Sequence, residues 1–236
     1  MENTQQQSWL YNQFFTGWKK FEVTYAIVLI LLQVVAYVIA PDSIIGMVSG
    51  VAGVICLVFG MKGKKLTFAF GLVQCIAMTM IAWQSHAYGA FVMNIFYVIS
   101  QPIGWFLWGN DEAVNTISAK TKRLIFLAAF VAWAVGWFVL ARTGGQLPYF
   151  DSINLVISFI AQVLYICKYK ENWSLWIIVN IANLAYWSVL TYQVATGHTD
   201  VGTVGGCLSQ VALQAALLFN SIYANRVWKS YEQNLK

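Results

Sequence analysis

VAGVICLVFGMKGKKLTFAFGLVQCIAMTM, residues 51–80, decides the fold. One apolar run ends at Gly60, and Lys62, Lys64 and Lys65 then crowd around Gly63. A second apolar run begins at once. A helix needs about 20 mostly apolar residues to cross the hydrocarbon of a bilayer. Extended to their limits, the two runs reach that length, as spans 43–61 and 65–85. The stretch therefore reads as two membrane helices joined by a tight basic turn.

The composition agrees. Of the 236 residues, 59% are hydrophobic, 16% are aromatic and only 10% are charged. Soluble domains carry about 25% charge, and a water-soluble globule could not hide this much apolar surface. The N-terminal segment 1–20, MENTQQQSWLYNQFFTGWKK, is polar and then aromatic. It lacks the basic-then-apolar order of a signal peptide and reads as an interfacial segment, a short helix with Trp9, Tyr11, Phe14, Phe15 and Trp18 at the membrane surface. Cys56, Cys75, Cys167 and Cys207 lie inside apolar segments without metal-ligand spacing, as small reduced residues do.

The same length criterion gives eight spans in all: 21–40, 43–61, 65–85, 87–109, 122–141, 148–169, 172–195 and 200–225. Short breaks separate them, at Ala40-Pro41-Asp42, Lys62-Gly63-Lys64, Thr143-Gly144-Gly145 and Thr196-Gly197-His198. The longest break, 110–121, carries Asp111, Glu112 and Lys120. With both termini on the cytoplasmic side, 13 of the 14 Lys and Arg residues fall inside, and only Arg142 falls outside. That is the positive-inside rule. The net charge of +5 is thus a topology signal, and nucleic acid is excluded as a partner.

A shift of 109 residues brings landmarks into coincidence. Asp42-Ser43-Ile44 falls on Asp151-Ser152-Ile153, Gln84 on Gln193, and Ser100-Gln101 on Ser209-Gln210. The repeat sets spans two to four on spans six to eight. Because three is odd, a linker span at 122–141 is needed to give both triplets one orientation. The predicted fold is an all-α polytopic membrane protein with eight transmembrane helices. A leading helix, 21–40, precedes a first three-helix repeat, 43–109. The linker 122–141 leads to a second repeat, 148–225, and a cytoplasmic tail, 226–236. Parallel repeats of this kind are a transporter design.

Polar side chains inside a membrane face a bundle interior or a pathway. The repeat pairs Gln74 with Asn183, Gln101 with Gln210, and Trp105 with Gln214. Asn94 lies two turns before Gln101 on the same helix face. Trp173, Trp176, Asn180, Asn183 and Trp187 are spaced 3, 4, 3 and 4, one stripe of an α-helix. Trp173 can equally be a membrane-belt anchor, and any one amide can simply bond a neighbouring helix. Together they form a slot in which aromatic faces stack a flat ring and amides bond its substituents.

The W-x-x-W-x-x-x-N pattern at Trp173, Trp176 and Asn180 resembles the signature of the PnuC family of nicotinamide riboside transporters. The span count, the basic loops and the Q-P-I-G-W run at 101–105 extend the resemblance over nearly the whole chain. It implies a three-one-three plan shared with the SWEET sugar transporters, uptake of nicotinamide riboside (vitamin B3) across a bacterial inner membrane, and a homotrimer. It also implies that Trp173, Trp176 and Asn180 bind substrate. The leading span 21–40 lies outside the shared core. The physics suits a flat cationic ring with a carboxamide and ribose hydroxyls, and suits a sugar or another nucleoside equally.

An enzyme would need a nucleophile, a metal site or an acid–base pair. His86 and His198 fall in outside loops, as do Asp42, Asp151 and Asp200, and no G-x-S-x-G or H-E-x-x-H is present. The reading therefore calls for no cofactor and no metal. A receptor would not need a polar stripe through both repeats. Every charged residue falls at a span end or in a loop, which points to uncoupled facilitated diffusion with import drawn by phosphorylation inside.

Overall fold

In a bilayer each backbone N–H and C=O must find its partner inside the protein, which leaves a chain this apolar little choice but helices. The computed structural model describes residues 9–39, 43–84, 86, 88–109, 114–142, 148–198 and 203–233. Nine helices lie among them: α1 Trp9–Phe14, α2 Lys20–Ile39, α3 Ile44–Met61, α4 Thr67–Gln84, α5 Tyr88–Leu107, α6 Ala119–Arg142, α7 Pro148–Ile166, α8 Asn172–Ala195 and α9 Val204–Gln233. Six of them, α3, α4, α5, α6, α8 and α9, are long and apolar enough to cross a membrane; the apolar stretch of α7, Ser152–Ile166, is shorter.

The eight long helices follow the eight apolar runs closely. The N-terminal segment read as a short interfacial helix holds α1. One difference stands out. The last helix continues to Gln233, past residue 225, because Ala224 and Trp228 are wholly buried and extend its packed face. The breaks at 40–42 and 143–145, and Asp111, Glu112 and Asp200, lie outside the described residues.

The chain divides into two units, Met1–Asn110 and Asp111–Lys236. In the first, α2 packs on α3, and α4 packs on both α3 and α5. Close approach is made by glycine facing glutamine: Gly50 meets Gln33, Gly53 meets Gln74, and Gly71 meets Gln101. In lipid, where apolar contact alone gives little drive, small residues and interhelical polar groups hold helices together. Ser43 caps α3, its Oγ accepting from the Gly46 N–H at 2.9 Å. The turn after α3 needs φ of +67° at Gly63, which glycine adopts freely.

The second unit repeats the order of packing. Here α6 packs on α7, and α8 packs on both α7 and α9. Its α7–α8 turn puts Lys168 at φ +58°. The cost is offset by a backbone bridge from the segment before α6. Asn115 N–H donates to the Lys168 carbonyl at 2.9 Å, and Lys170 N–H donates to the Asn115 carbonyl at 3.1 Å.

Candidate functional site

The amide and aromatic stripe of α8 resolves into two parts. Trp173 is 4% exposed. Its ring stands edge-on to Tyr165 at 6.0 Å and to Trp228 at 5.7 Å, closing an aromatic cluster at the start of the helix. It is thus a packing residue as well as a member of the stripe. Its indole Nε1–H has no hydrogen-bond partner among the described residues. Trp176, one turn on, is only half-buried.

Asn180 is buried and donates from Nδ2 to Ser221 Oγ at 2.8 Å; Ser221 passes its own hydroxyl to the Leu217 carbonyl. Asn183 reaches Asn154 Oδ1 at 3.5 Å, an atom that also accepts from Ser158 at 3.2 Å. The expected amides are therefore wired across α7, α8 and α9. Gln210 is half-buried on α9. Gln214 is buried, and its Oε1 has no donor among the described residues.

In the first unit, Gln74 lies against Gly53. Gln101 is buried between α4 and α5. Its Nε2 faces Cys75 Sγ at 3.8 Å, and its Oε1 has no donor among the described residues. Asn94 donates to the Ala90 carbonyl of its own helix at 2.9 Å, so this donor is spent locally. Trp105 sits in the last turn of α5, edge-on to Trp9 of α1 at 5.8 Å and under Lys65 Nζ at 5.2 Å. This places it at the basic-loop end of its helix. All four cysteines are free. Among the described residues no group of His, Cys, Asp and Glu is placed to hold a metal ion.

Sequence reasoning missed Asn154, Ser221 and Asn220. Asn220 is fully buried, with neither amide atom partnered among the described residues. Spacing on α9 carries a signal for it, since Asn220, Ala224 and Trp228 recur every four residues on one face. The 109-residue offset set it opposite loop residue Asp111 and so drew no attention to it. A buried acceptor left without a donor costs about 1–3 kcal/mol. Gln101 Oε1 and Gln214 Oε1 are such acceptors. Each suits a hydroxyl-bearing solute, and half-exposed Trp176 in the second unit suits a flat ring.

The family model for nicotinamide mononucleotide transporters matches residues 43–230. The chain belongs to the nicotinamide mononucleotide transporter family. Like other members of the family it is a multi-pass membrane transporter, not an enzyme. It is 31% identical over 233 residues to the nicotinamide riboside transporter PnuC of Neisseria mucosa, covering 94% of this chain and 85% of that one. It is 33% identical over 189 residues to the PnuC of Haemophilus influenzae, covering 76% of this chain and 84% of that one. The crystal structure of the vitamin B3 transporter PnuC superposes with a TM-score of 0.78 at 27% identity, over 97% of this chain and 98% of that one. The family match begins at residue 43 and so leaves out α1 and α2 of this transporter.

Proposed function

We propose that this chain carries nicotinamide riboside inward across a bacterial inner membrane by uncoupled facilitated diffusion. The observation that carries the reading is that each unit holds a buried amide acceptor with no donor among the described residues, Gln101 Oε1 in the first and Gln214 Oε1 in the second, whose α8 also carries Trp176 and Asn180. A riboside brings hydroxyl and carboxamide donors to such acceptors, and its cationic ring favours an indole face. The names of the relatives agree. Trp173, Trp176, Asn180, Asn183, Gln74, Gln101, Gln210 and Gln214 are the residues we assign to binding. Asn94 and Trp105 join them in a supporting place.

The uncoupled mechanism rests on the lack of ionisable groups along the stripe, since coupled carriers place such groups within the membrane. Phosphorylation of the riboside inside would create an anion that the amides do not pass, and would draw uptake. We read the long helices as one leading span, a triplet, a linker and a triplet, as in the SWEET plan, with both termini cytoplasmic and the protein a homotrimer. The test is uptake of radiolabelled nicotinamide riboside by sealed liposomes holding the purified protein. Saturable uptake that unlabelled riboside competes away, and glucose does not, is expected. Uptake equal to that of protein-free liposomes would overturn the proposal.

A further inference from the structure

Lys62 and Glu171 are separated by 109 residues, the offset of the internal repeat, and each sits in the loop between the first two helices of its triplet. Each meets an opposite charge from the leading helix of its own unit. Glu22 of α2 reaches Lys62 Nζ with Oε1 at 3.1 Å. Lys122 of α6 reaches Glu171 Oε1 with Nζ at 2.8 Å. In both units the carboxylate also accepts a backbone N–H from the segment that starts the leading helix. Glu22 Oε2 takes Lys19 N–H at 2.8 Å, and the Glu171 oxygens take Ile117 N–H at 3.3 and 3.4 Å. The connectivity is the same and the polarity of the charges is reversed.

The first pair is buried, with side chains 7% and 0% exposed. Such a pair is a weak source of net stability compared with an apolar replacement, but it specifies a position, because removing one partner strands a buried charge. The second pair is more open, Lys122 being 48% exposed. There the Asn115 backbone bridge to Lys168 and Lys170 shares the work. The family match begins after α2, yet α2 is tied to its triplet in the way α6 is tied to its own.

We propose that Glu22–Lys62 and Lys122–Glu171 are equivalent positioning staples, each fixing a leading helix to the loop from which a substrate-lining helix starts. In the first unit that helix is α4, which carries Gln74. In the second it is α8, which carries Trp176 and Asn180. By this assignment α2 is the counterpart of α6, and each unit works as four helices. The effect on uptake rests on the transport reading above; the pairing itself does not.

The experiment is a set of full-length variants measured two ways, by melting in detergent and by riboside uptake in liposomes. Lys62→Met should lower the melting temperature by more than about 5 °C and slow uptake about tenfold. The neutral pair Glu22→Gln with Lys62→Met should regain the melting temperature but not the uptake, since the ion pair then no longer fixes the loop to α2. The reversed pair Glu22→Lys with Lys62→Glu should regain both, because it reproduces the polarity of the second unit, in which the loop carboxylate takes both the lysine and the backbone N–H. Glu171→Ala should slow uptake more than Lys122→Ala, whose charge is half in solvent. Wild-type melting and uptake in Lys62→Met would overturn the proposal. So would a folded reversed pair that transports no better than Lys62→Met, or a neutral pair that transports like wild type. If the wild-type protein takes up no riboside, the transport reading fails, while the melting data alone still decide whether the charges pair.

Discussion

Two tryptophans three residues apart in one motif have different surroundings, and this sorts their roles. Trp173 is enclosed by Tyr165 and Trp228, whereas Trp176 keeps part of its ring open. Trp173→Ala should therefore destabilise the fold, by about 3–5 kcal/mol as for other buried tryptophans, read as a lower melting temperature in detergent. Trp176→Ala should melt close to wild type and lose about 0.5–2 kcal/mol of riboside binding, read by calorimetry. Asn180→Ala removes the donor to Ser221 and one amide from the stripe. A loss of about 1–3 kcal/mol corresponds to roughly fivefold to 140-fold weaker binding at about 1.4 kcal/mol per tenfold. Wild-type affinity in both Trp176→Ala and Asn180→Ala would reduce the stripe to packing.

At the scale of the helix, glycine marks where elements touch, and the facing atom decides what a methyl does there. A Cβ at Gly104 would collide with the ring of Phe68, which is itself held edge-on to Trp108 at 4.7 Å, both being 1% exposed. Neither ring has room to move. Gly104→Ala should cost about 1–3 kcal/mol by overpacking, seen as a clear drop in melting temperature. A Cβ at Gly53 would lie 2.7 Å from Gln74 Nε2, the free end of a flexible side chain. Gly53→Ala should therefore displace the amide rather than the helix, weakening riboside binding while melting near wild type. Equal melting of the two alanine variants would contradict this distinction.

For the whole molecule, the distribution of charge sets the expected orientation. Cysteines placed at Gly144 and His198 should react with an impermeant thiol reagent applied to intact cells, and those at Gly63 and Asn115 should not; the reverse pattern would turn the topology over. The energy source is testable on the same preparation. In liposomes clamped at zero voltage, riboside should equilibrate and stop, whatever proton or sodium gradient is imposed. Accumulation above the outside concentration would show coupling. The clamp matters because the solute is a cation and responds to voltage by itself, by about 2.3 kcal/mol per 100 mV.

The amino-acid sequence determined by itself that this is a helical membrane protein and where its long helices run. Those signals are one-dimensional: a run of apolar residues as long as a bilayer is thick, and lysines in the breaks. It also carried the candidate stripe, because 3.6-residue periodicity places Trp176, Asn180 and Asn183 on one face before any fold is known. Only the tertiary structure decided which member of that stripe is packed away, since the enclosing ring at position 228 lies 55 residues downstream of Trp173, beyond the span end at 225 that apolar length alone gives. It likewise set Trp105 under Lys65, and revealed Asn154, Ser221 and Asn220. The Glu22–Lys62 pair spans 40 residues, and no local pattern announces it. Whether a polar side chain meets a partner or stays open depends on the neighbouring helix, and that is settled by the packing of helices in three dimensions.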